Sequence, residues 1–395
     1  MKQHIRILHT ADWHVGLESW KADIPTDRTE EIKDALQFML QYAQNNNIDL
    51  IIISGDITEH RTSPSAVEHQ IVLHYLNEFS AVAPVVVVTG NHDWVGLPQL
   101  DIFSKKTNIH LINRFSNPNG SPASRTLLIK EQKVKVFGLP YFDVRNLIKK
   151  YIEELSNTSM DMLKIHTSKI EEACEPDAWN ILSAHIAIEG IKYRNYIEDS
   201  LEFSINPKLL PTVDYIALGH IHSQMRISEA PTTTWFSGAI IQNDFGEEQN
   251  RVGFLIVDLE EGKNPQVQPV ETPHKKLKSI NVTLNTNMEN CLKEIEEKAN
   301  IPEDYLRITL RVNHIQDLPP LWMSRIRNIS NKIVKVNVEV DKKEDTINIS
   351  GIKEKAKNIK ELFEEYIEKT ENLTEEEKEA IINYFTTIYE EVKET

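Results

Sequence analysis

Five short clusters of aspartate, asparagine and histidine carry the side chains best suited to chemistry in this sequence. Carboxylate and amide oxygens together with imidazole nitrogens are ligands for divalent cations such as Mn²⁺, Fe²⁺ or Zn²⁺, and the lack of thiolates among them disfavours softer ions. In chain order the clusters are Asp12-Trp13-His14, Gly55-Asp56, Gly90-Asn91-His92-Asp93, His185 and Gly219-His220-Ile221-His222.

This mixture of ligands suits a pair of cations. Two cations about 3.5–4 Å apart need a bridging ligand, and a carboxylate can bridge through its two oxygens. Such a pair lowers the pKa of a bound water and stabilises charge on a phosphoryl oxygen. In the Asp-x-His and His-x-His pairs, alternate residues of an extended segment project to the same side. The clusters therefore predict a centre that hydrolyses phosphate esters.

Each cluster begins within a few residues of the end of a predicted strand. These strands are β-branched apolar runs of the kind found in buried sheets. They are Ile5–His9, Ile48–Ile53, Val85–Val88, Trp179–Ala184 and Val213–Leu218. Ligands of α/β sheets bind in the loops beyond the carboxyl ends of the strands. We therefore expect the five loops to bring their side chains to one rim.

The segments between and after these strands indicate the remaining organisation. Residues 27–44 and 65–79 have apolar positions at helical spacing. A hairpin is expected over residues 125–137, followed by a long polar helix across 144–170 and further strands at 233–236 and 252–259. After Pro273 the pattern changes to a small α/β unit, and two amphipathic helices end the chain. We place the domain boundaries at 1–274, 275–342 and 343–395.

Composition narrows the class of protein. A formal net charge of −16 argues against a generic polyanion binder, so binding of nucleic acid would need local positive charge, which bound cations can supply. The two cysteines, Cys174 and Cys291, are too few for a disulfide framework or a cysteine-based zinc site. The sequence lacks an apolar run of about 18 residues and a secretory start. These features predict a cytoplasmic protein without a membrane span.

Taken together, the five clusters resemble those of the calcineurin-like metallophosphoesterases, and more narrowly those of the SbcD-type nucleases of double-strand-break repair. The likeness is closest over residues 5–97 and 179–260. The segments that carry it are His9–Gly16 (HTADWHVG), Ala217–His222 (ALGHIH), Phe236–Gly238 (FSG) and Asn243–Glu247 (NDFGE). The resemblance implies an α/β sandwich of two facing sheets flanked by helices, with a small α/β capping domain and a C-terminal helical pair.

The resemblance also implies a role for each cluster. One metal would be held by Asp12, His14, Asp56 and His222, and the other by Asp56, Asn91, His185 and His220. Asp56 would bridge the two metals. His92 would stabilise the transition state or protonate the leaving oxygen, which suits an imidazole near neutral pH.

Three further residues are candidates for support of the ligands. After Gly55-Asp56 the family often has His or Asp at the fourth position, whereas this sequence continues Ile57-Thr58-Glu59-His60, so Glu59 or His60 could substitute. Asp93 could orient His92 or merely cap a turn.

Contacts to DNA are predicted near the site loops at Arg61, Trp20 and Lys21, because aromatic and cationic side chains contact bases and phosphates. The alternative for the tryptophan is packing in the protein interior, and for the charged residues it is simple solvation.

By resemblance, the activity is Mn²⁺-dependent hydrolysis of DNA, with Fe, Zn or Mg as other possible metals. It would comprise a 3′-to-5′ exonuclease on duplex ends and an endonuclease on single strands or hairpins. The resemblance further implies a homodimer and a coiled-coil ATPase partner of the SbcC type bound through the C-terminal helices. Two alternatives stay open: a phosphodiesterase for small molecules such as cyclic nucleotides, and a catalytically silent subunit that tethers DNA.

Overall fold

The computed structural model describes residues 2–99, 104–141, 158–191, 204–284, 287–302 and 304–340, together with residues 378 and 382. In chain order the strands are β1 (Ile5–Thr10), β2 (Glu18–Ser19), β3 (Thr26–Asp27), β4 (Leu50–Ser54), β5 (Val85–Val88), β6 (Ile109–Ile112), β7 (Ser124–Ile129), β8 (Gln132–Leu139), β9 (Trp179–His185), β10 (Ala187–Ile188), β11 (Ser204–Ile205), β12 (Tyr215–Gly219), β13 (Met225–Arg226), β14 (Thr234–Phe236), β15 (Gly253–Leu259), β16 (Gln266–Glu271), β17 (Leu277–Thr283), β18 (Tyr305–Val312) and β19 (Ile333–Val340). The α-helices are α1 (Thr29–Asn45), α2 (Ala66–Val82), α3 (Ser104–Thr107), α4 (Thr158–Glu172), α5 (Met288–Ala299) and α6 (Trp322–Arg327). Short 3₁₀ helices lie at Pro207–Leu209, Phe245–Glu247 and Ile315–Asp317.

Two six-stranded sheets face each other and form a sandwich. The first has the order β16-β15-β1-β4-β5-β6 and the second the order β13-β14-β12-β9-β8-β7. Successive side chains of a strand point to opposite faces of its sheet. Ile7 of β1 and Ile52 of β4 therefore pack against Ile181 of β9 between the sheets, whereas Leu8 and Ile51 face outward. The predicted two-sheet α/β sandwich is confirmed.

Helices cover the outer faces of both sheets. In α1 the apolar positions Ile32, Leu36 and Met39 recur at helical spacing, and all three are fully buried against the first sheet. Helix α2 covers the same face and begins with a capping box in which Ser65 and Glu68 satisfy each other's backbone N–H groups. On the second sheet, Ile170 of α4 is fully buried.

The small α/β unit after the sandwich is a three-stranded sheet in the order β17-β18-β19, on which α5 packs through Cys291 and Ile295. One compact body takes in Met1–Arg311 and Pro319–Glu339, so it contains both the sandwich and this small unit. Val312–Leu318 group with residues 340–395 in a second unit. Within the first body, sandwich and small unit meet in a group of buried side chains that we call the junction cluster, formed by Trp20, Phe245, Leu277, Tyr305 and Val334.

Most of the elements predicted from the sequence lie within two residues of their observed ends, and Val85–Val88 has the predicted bounds. Strands β6 and β16 were not predicted, and neither were the two-residue strands β2, β3, β10, β11 and β13. The start of the helix predicted over 144–170 and the C-terminal helix pair lie outside the described residues, apart from residues 378 and 382, which are helical. None of the described helices is both long and apolar enough to cross a membrane.

Candidate metal centre

The five polar clusters lie together at one edge of the sandwich, beyond the carboxyl ends of β1, β4, β5, β9 and β12. Asp56, which follows β4, places its Oδ2 atom 3.3 Å from Nε2 of His185 and 3.8 Å from Nε2 of His14. The Nε2 atoms of His14 and His222 are 3.2 Å apart. Ligand candidates from both sheets therefore converge on Asp56, as the strand-end argument predicts.

The remaining predicted ligands lie beside this group. Asn91 places its Oδ1 3.0 Å from Nε2 of His185, and the rings of His185 and His220 have centroids 5.1 Å apart. Asp12 is fully buried, and its two carboxylate oxygens accept the backbone N–H of His220 at 3.0 and 3.1 Å. Donor atoms in three groups of side chains lie within 4.8 Å of one another, so each group could hold a cation; the groups are Asp12–His14–His222, His14–Glu59–His92 and Asp12–Asp56–His185.

The hydrogen bonds of three histidines fit the binding of divalent cations. The Nδ1 atom of His14 lies 2.7 Å from a carboxylate oxygen of Glu59, and Nδ1 of His222 lies 2.8 Å from one of Glu247. Nδ1 of His185 lies 2.7 Å from the backbone oxygen of Ser54. Because these partners can accept a hydrogen bond, each Nδ1 can keep its proton, and Nε2 is then the atom at which a bound cation would take the place of a second proton.

The backbone of the site loops is held in a conformation that non-glycine residues seldom adopt. Asp12, His14 and Asp56 have φ angles of 53°, 47° and 53°, and His220 has a φ of 95°. Such conformations cost about 1–3 kcal/mol each and cluster at functional sites. At Gly90 an added Cβ would lie 2.2 Å from Oδ1 of Asp56, so only glycine lets this loop approach that carboxylate.

The centre strongly favours positive charge. Burial lowers the pKa of His14, but its hydrogen bond to Glu59 and the charge of Asp56 outweigh burial and raise the pKa to about 9. The pKa of His185 is likewise lowered by burial but raised overall, to about 9, by the charge and hydrogen bond of Asp56. Burial raises the pKa of Asp56, yet the opposing charges of His185 and His14 bring it well below its ordinary range. A site of this kind attracts cations.

His92 lies at the outer side of the centre. Its side chain is 41% exposed, and its ring centroid is 5.0 Å from that of His14. Its Nδ1 is engaged by the backbone oxygen of Glu59, 3.1 Å away, so Nε2 is the ring nitrogen that could contact a substrate. The predicted catalytic histidine is thus placed beside the ligands and open to solvent.

The two candidates for the unusual fourth position take different places. Glu59 lies at the centre, with a carboxylate oxygen 2.7 Å from His14 and 3.6 Å from Nδ1 of His92. Burial raises the pKa of Glu59, but the hydrogen bond to His14 and the charges of His14 and His92 together lower it overall. The ring of His60 instead contacts Glu68 at 3.1 Å, at the start of α2. Glu59 is therefore the residue positioned to support the ligands.

Asp93 holds the loop after β4. Asp93 is 5% exposed, and its carboxylate accepts the backbone N–H groups of Gly90, Asp56, Ile57 and Thr58 at 2.7 to 3.3 Å. Burial and the nearby Asp56 charge raise the pKa of Asp93 to about 6. Of the two interpretations from the sequence, the hydrogen bonds support the turn cap, which fixes the backbone of the central carboxylate.

The predicted DNA contacts separate into exposed and buried residues. Arg61 is exposed, and so is Lys21, whose side chain is 58% exposed with an ion pair of 3.8 Å to Glu18. Trp20 is only 7% exposed, and its ring packs against those of Phe245 and Tyr305 in the junction cluster. This burial favours packing, the alternative for the tryptophan, because its ring face is not open to a base.

Two residues close to the centre had no role in the sequence analysis. Glu247 accepts the hydrogen bond from His222, although it lies 25 residues further along the chain. His9 is fully buried between the sheets, with Nδ1 3.0 Å from the hydroxyl of Tyr215 and Nε2 3.3 Å from that of Ser54. Both residues belong to quoted motif segments, but nothing in their spacing indicated these partners.

Comparison with known proteins agrees with this geometry. The family profile described as calcineurin-like phosphoesterase matches residues 5–224, and the chain belongs to that family. Within it, the chain is similar to the SbcD subunit of the nuclease SbcCD from Staphylococcus epidermidis, at 25% identity over 91% of this chain and 92% of the relative. It is also similar to the Bacillus subtilis protein of the same name, at 29% identity over 67% of this chain and 69% of that one.

Among solved structures, a dimetal phosphatase from Danio rerio matches 65% of this chain and 93% of its own at 12% identity, with a TM-score of 0.38. A hypothetical protein from Thermus thermophilus covers 69% of this chain and 100% of its own at 12% identity, with a TM-score of 0.33. At these scores neither structure supports a conclusion about this chain.

Proposed function

We propose that the chain is the nuclease subunit of an SbcCD-type complex and that it cuts DNA by two-metal phosphodiester hydrolysis with Mn²⁺. The observation that carries the proposal is the convergence of metal ligands from five loops, with three imidazoles fixed so that Nε2 faces the centre. The full-length similarity to a protein named as the SbcD component of the nuclease SbcCD supports DNA as the substrate.

Each group of residues has a distinct part in this reaction. A bound pair of divalent cations supplies Lewis acidity and a water that is nucleophilic near neutral pH. Asp56 offers carboxylate oxygens to both halves of the centre, between His14 on one side and His185 on the other. His92, half-exposed at the rim, can donate a proton to the leaving oxygen while Glu59 holds its other ring nitrogen.

We further propose 3′-to-5′ exonuclease action on duplex ends and endonuclease action on single strands or hairpins, in a cytoplasmic homodimer. In this proposal residues 1–274 form the nuclease domain, residues 275–342 a DNA-binding cap, and residues 343–395 the linker and helices that bind the ATPase partner. Deletion of residues 351–395 should abolish binding of an SbcC-type ATPase, and retained binding would contradict that assignment. Arg61→Ala should lower DNA affinity and reduce its dependence on salt.

The decisive experiment compares DNA with a small substrate. The full chain is incubated with Mn²⁺ and end-labelled linear duplex DNA, and in parallel with a chromogenic phosphodiester. His92→Ala should reduce DNA cleavage by about 10²-fold or more while the two bound Mn²⁺ ions per chain stay in place, since general acid–base catalysis contributes that much. His74→Ala, an exposed histidine of α2, is the matched control and should leave cleavage unchanged.

Other outcomes would favour the alternatives. Hydrolysis of the small diester with intact DNA, even with an SbcC-type partner and ATP, would indicate a small-molecule phosphodiesterase. Far fewer than two metals per purified chain, with no hydrolysis of either substrate, would indicate a silent protein that tethers DNA.

A further inference from the structure

The segment Asp244–Glu248 joins a predicted metal ligand to the small α/β unit. Glu247 of this segment is 2% exposed, and its two carboxylate oxygens have different partners. One lies 2.8 Å from Nδ1 of His222, and the other accepts the backbone N–H of Asn243 at 2.9 Å. Because both oxygens are engaged, the carboxylate cannot rotate away from His222 without losing a buried hydrogen bond.

The same segment is held from its other side by the small unit. Phe245 is 3% exposed and lies between the ring of Trp20, 5.2 Å away, and the guanidinium of Arg307 on β18, also 5.2 Å away. Glu248 accepts hydrogen bonds from the backbone N–H and the hydroxyl of Ser279 on β17, at 3.0 and 2.6 Å. Within five residues, the segment therefore contacts the metal centre through Glu247 and the small unit through Phe245 and Glu248.

A buried ion pair, Arg28–Glu31, contacts the backbone on both sides of the boundary between this segment and the small unit. Arg28 is 1% exposed and makes two hydrogen bonds of 2.8 and 2.9 Å with Glu31. Its guanidinium also donates to the backbone oxygen of Gln242 at 3.0 Å, just before the segment, and lies 4.9 Å from the ring centroid of Tyr305 on β18. Glu31 in turn accepts the backbone N–H of Lys275 at 2.8 Å, where the small unit begins.

We propose that Glu247 is a positioning residue for His222 and that the small α/β unit keeps it in place through the segment Asp244–Glu248. This inference rests on the proposed function, since it assigns His222 to a metal. A carboxylate that accepts from Nδ1 orients the imidazole and makes Nε2 a better ligand, and loss of such a partner costs about 10–100-fold in metal affinity or activity. Here the segment that carries this partner is itself held by the small unit, through Phe245 and Glu248.

The test measures Mn²⁺ binding to the full chain by titration calorimetry, with electron paramagnetic resonance to detect the spin-coupled pair. Glu247→Ala should weaken one of the two Mn²⁺ affinities by about 10–100-fold and replace the coupled signal by that of a single ion at low Mn²⁺. Glu247→Gln should restore part of the affinity, because its amide oxygen can still accept from His222. Glu248→Ala should weaken the same site by a smaller factor. Glu261→Ala, an exposed glutamate between β15 and β16, is the matched control.

The outcomes separate this inference from the proposed function. If the unaltered chain binds no Mn²⁺, the proposed function fails and this inference fails with it. If it binds two ions and both Glu247 variants bind them equally well, only the role of Glu247 is overturned. Equal loss at both sites together with a lowered melting temperature would indicate general unfolding and would also overturn it. Unchanged affinity in Glu248→Ala would overturn the part assigned to the small unit.

Discussion

His9 should make the folded protein sensitive to acid. Its ring is fully buried between the two sheets and contacts the hydroxyls of Tyr215 and Ser54. Burial lowers the pKa of His9 from 6.5 to about 3, opposed only in part by a backbone hydrogen bond at Leu218. The folded state therefore keeps this imidazole neutral at a pH where the unfolded chain has already bound a proton.

The sign and the size of the effect follow from this difference. Between pH 6.5 and about 3 the unfolded state binds more protons than the folded state at this residue, so stability falls as the pH falls through that window. A pKa of about 3 in the folded state against 6.5 in the unfolded state corresponds to a free energy of about 5 kcal/mol. From pH 6 to pH 4 the part lost through His9 is about 2.5 kcal/mol.

The assay is urea unfolding of the metal-stripped chain at pH 6, 5 and 4, followed by tryptophan fluorescence. In His9→Gln the amide keeps one donor and one acceptor but cannot titrate, so its loss of unfolding free energy from pH 6 to 4 should be about 2.5 kcal/mol smaller. Other groups titrate alike in both proteins and cancel in the comparison. His74→Gln, at an exposed position, should follow the unaltered chain. Parallel pH profiles for His9→Gln and the unaltered chain would refute the reasoning, whatever their absolute stabilities.

Two further changes test the contacts that hold the site together. In Gly219→Ala the new Cβ would lie 2.0 Å from the backbone oxygen of Ser54, so thermal unfolding should show that the free energy of unfolding falls by about 1–3 kcal/mol. Gly246→Ala, with open space around the new Cβ, is the control and should change it little. Equal melting temperatures for the two variants would contradict the close approach of Gly219 to Ser54. Arg28→Met leaves the carboxylate of Glu31 buried without its partner and should destabilise the fold by about 3–5 kcal/mol. Lys33→Met is the control, because it removes only the exposed ion pair with Glu30 and should change the melting temperature little. An equally small change in Arg28→Met would mean that the buried Arg28–Glu31 ion pair does not stabilise the fold.

Most strands could be predicted because their apolar runs are buried on both faces, which leaves an unambiguous sequence pattern. Two of the strands that were missed, β6 and β16, lie at the edges of the first sheet. Strand β16 (Gln266–Glu271) is largely exposed and contains Pro269. An edge strand tolerates proline, but in a sequence proline usually indicates that a strand does not continue. Strand β6 (Ile109–Ile112) is only four residues long and includes a histidine. Edge strands have a weaker apolar sequence pattern because they have a neighbouring strand on one side only and are less buried.

Part of the candidate site could also be predicted from the sequence, and part of it could not. The predicted ligands follow strand ends and form recognisable motifs, so the sequence could place them together, whereas the residues that hold them depend on contacts between distant segments. Ser19 of β2, for example, donates to the backbone oxygen of Asn243, 224 residues away, and this contact ties β2 to the residue just before the segment Asp244–Glu248. The prediction that Trp20 contacts DNA was wrong for the same reason. Its position near the site loops suggested an exposed ring, but the ring is buried against Tyr305 of the small unit, which the local sequence could not indicate.

The spacing of the two sheets sets the geometry of the metal centre, because the ligands come from both. Ser54, at the end of β4, has its hydroxyl 3.0 Å from that of Ser183 on β9, and its backbone oxygen lies 2.7 Å from Nδ1 of His185. At Gly219 the second sheet approaches the same residue so closely that a Cβ cannot fit. One residue of the first sheet thus contacts two strands of the second and orients a ligand. Since metal sites tolerate errors of only about 0.5 Å, the fully buried contacts between the sheets are as much a part of the centre as the residues that would bind the ions.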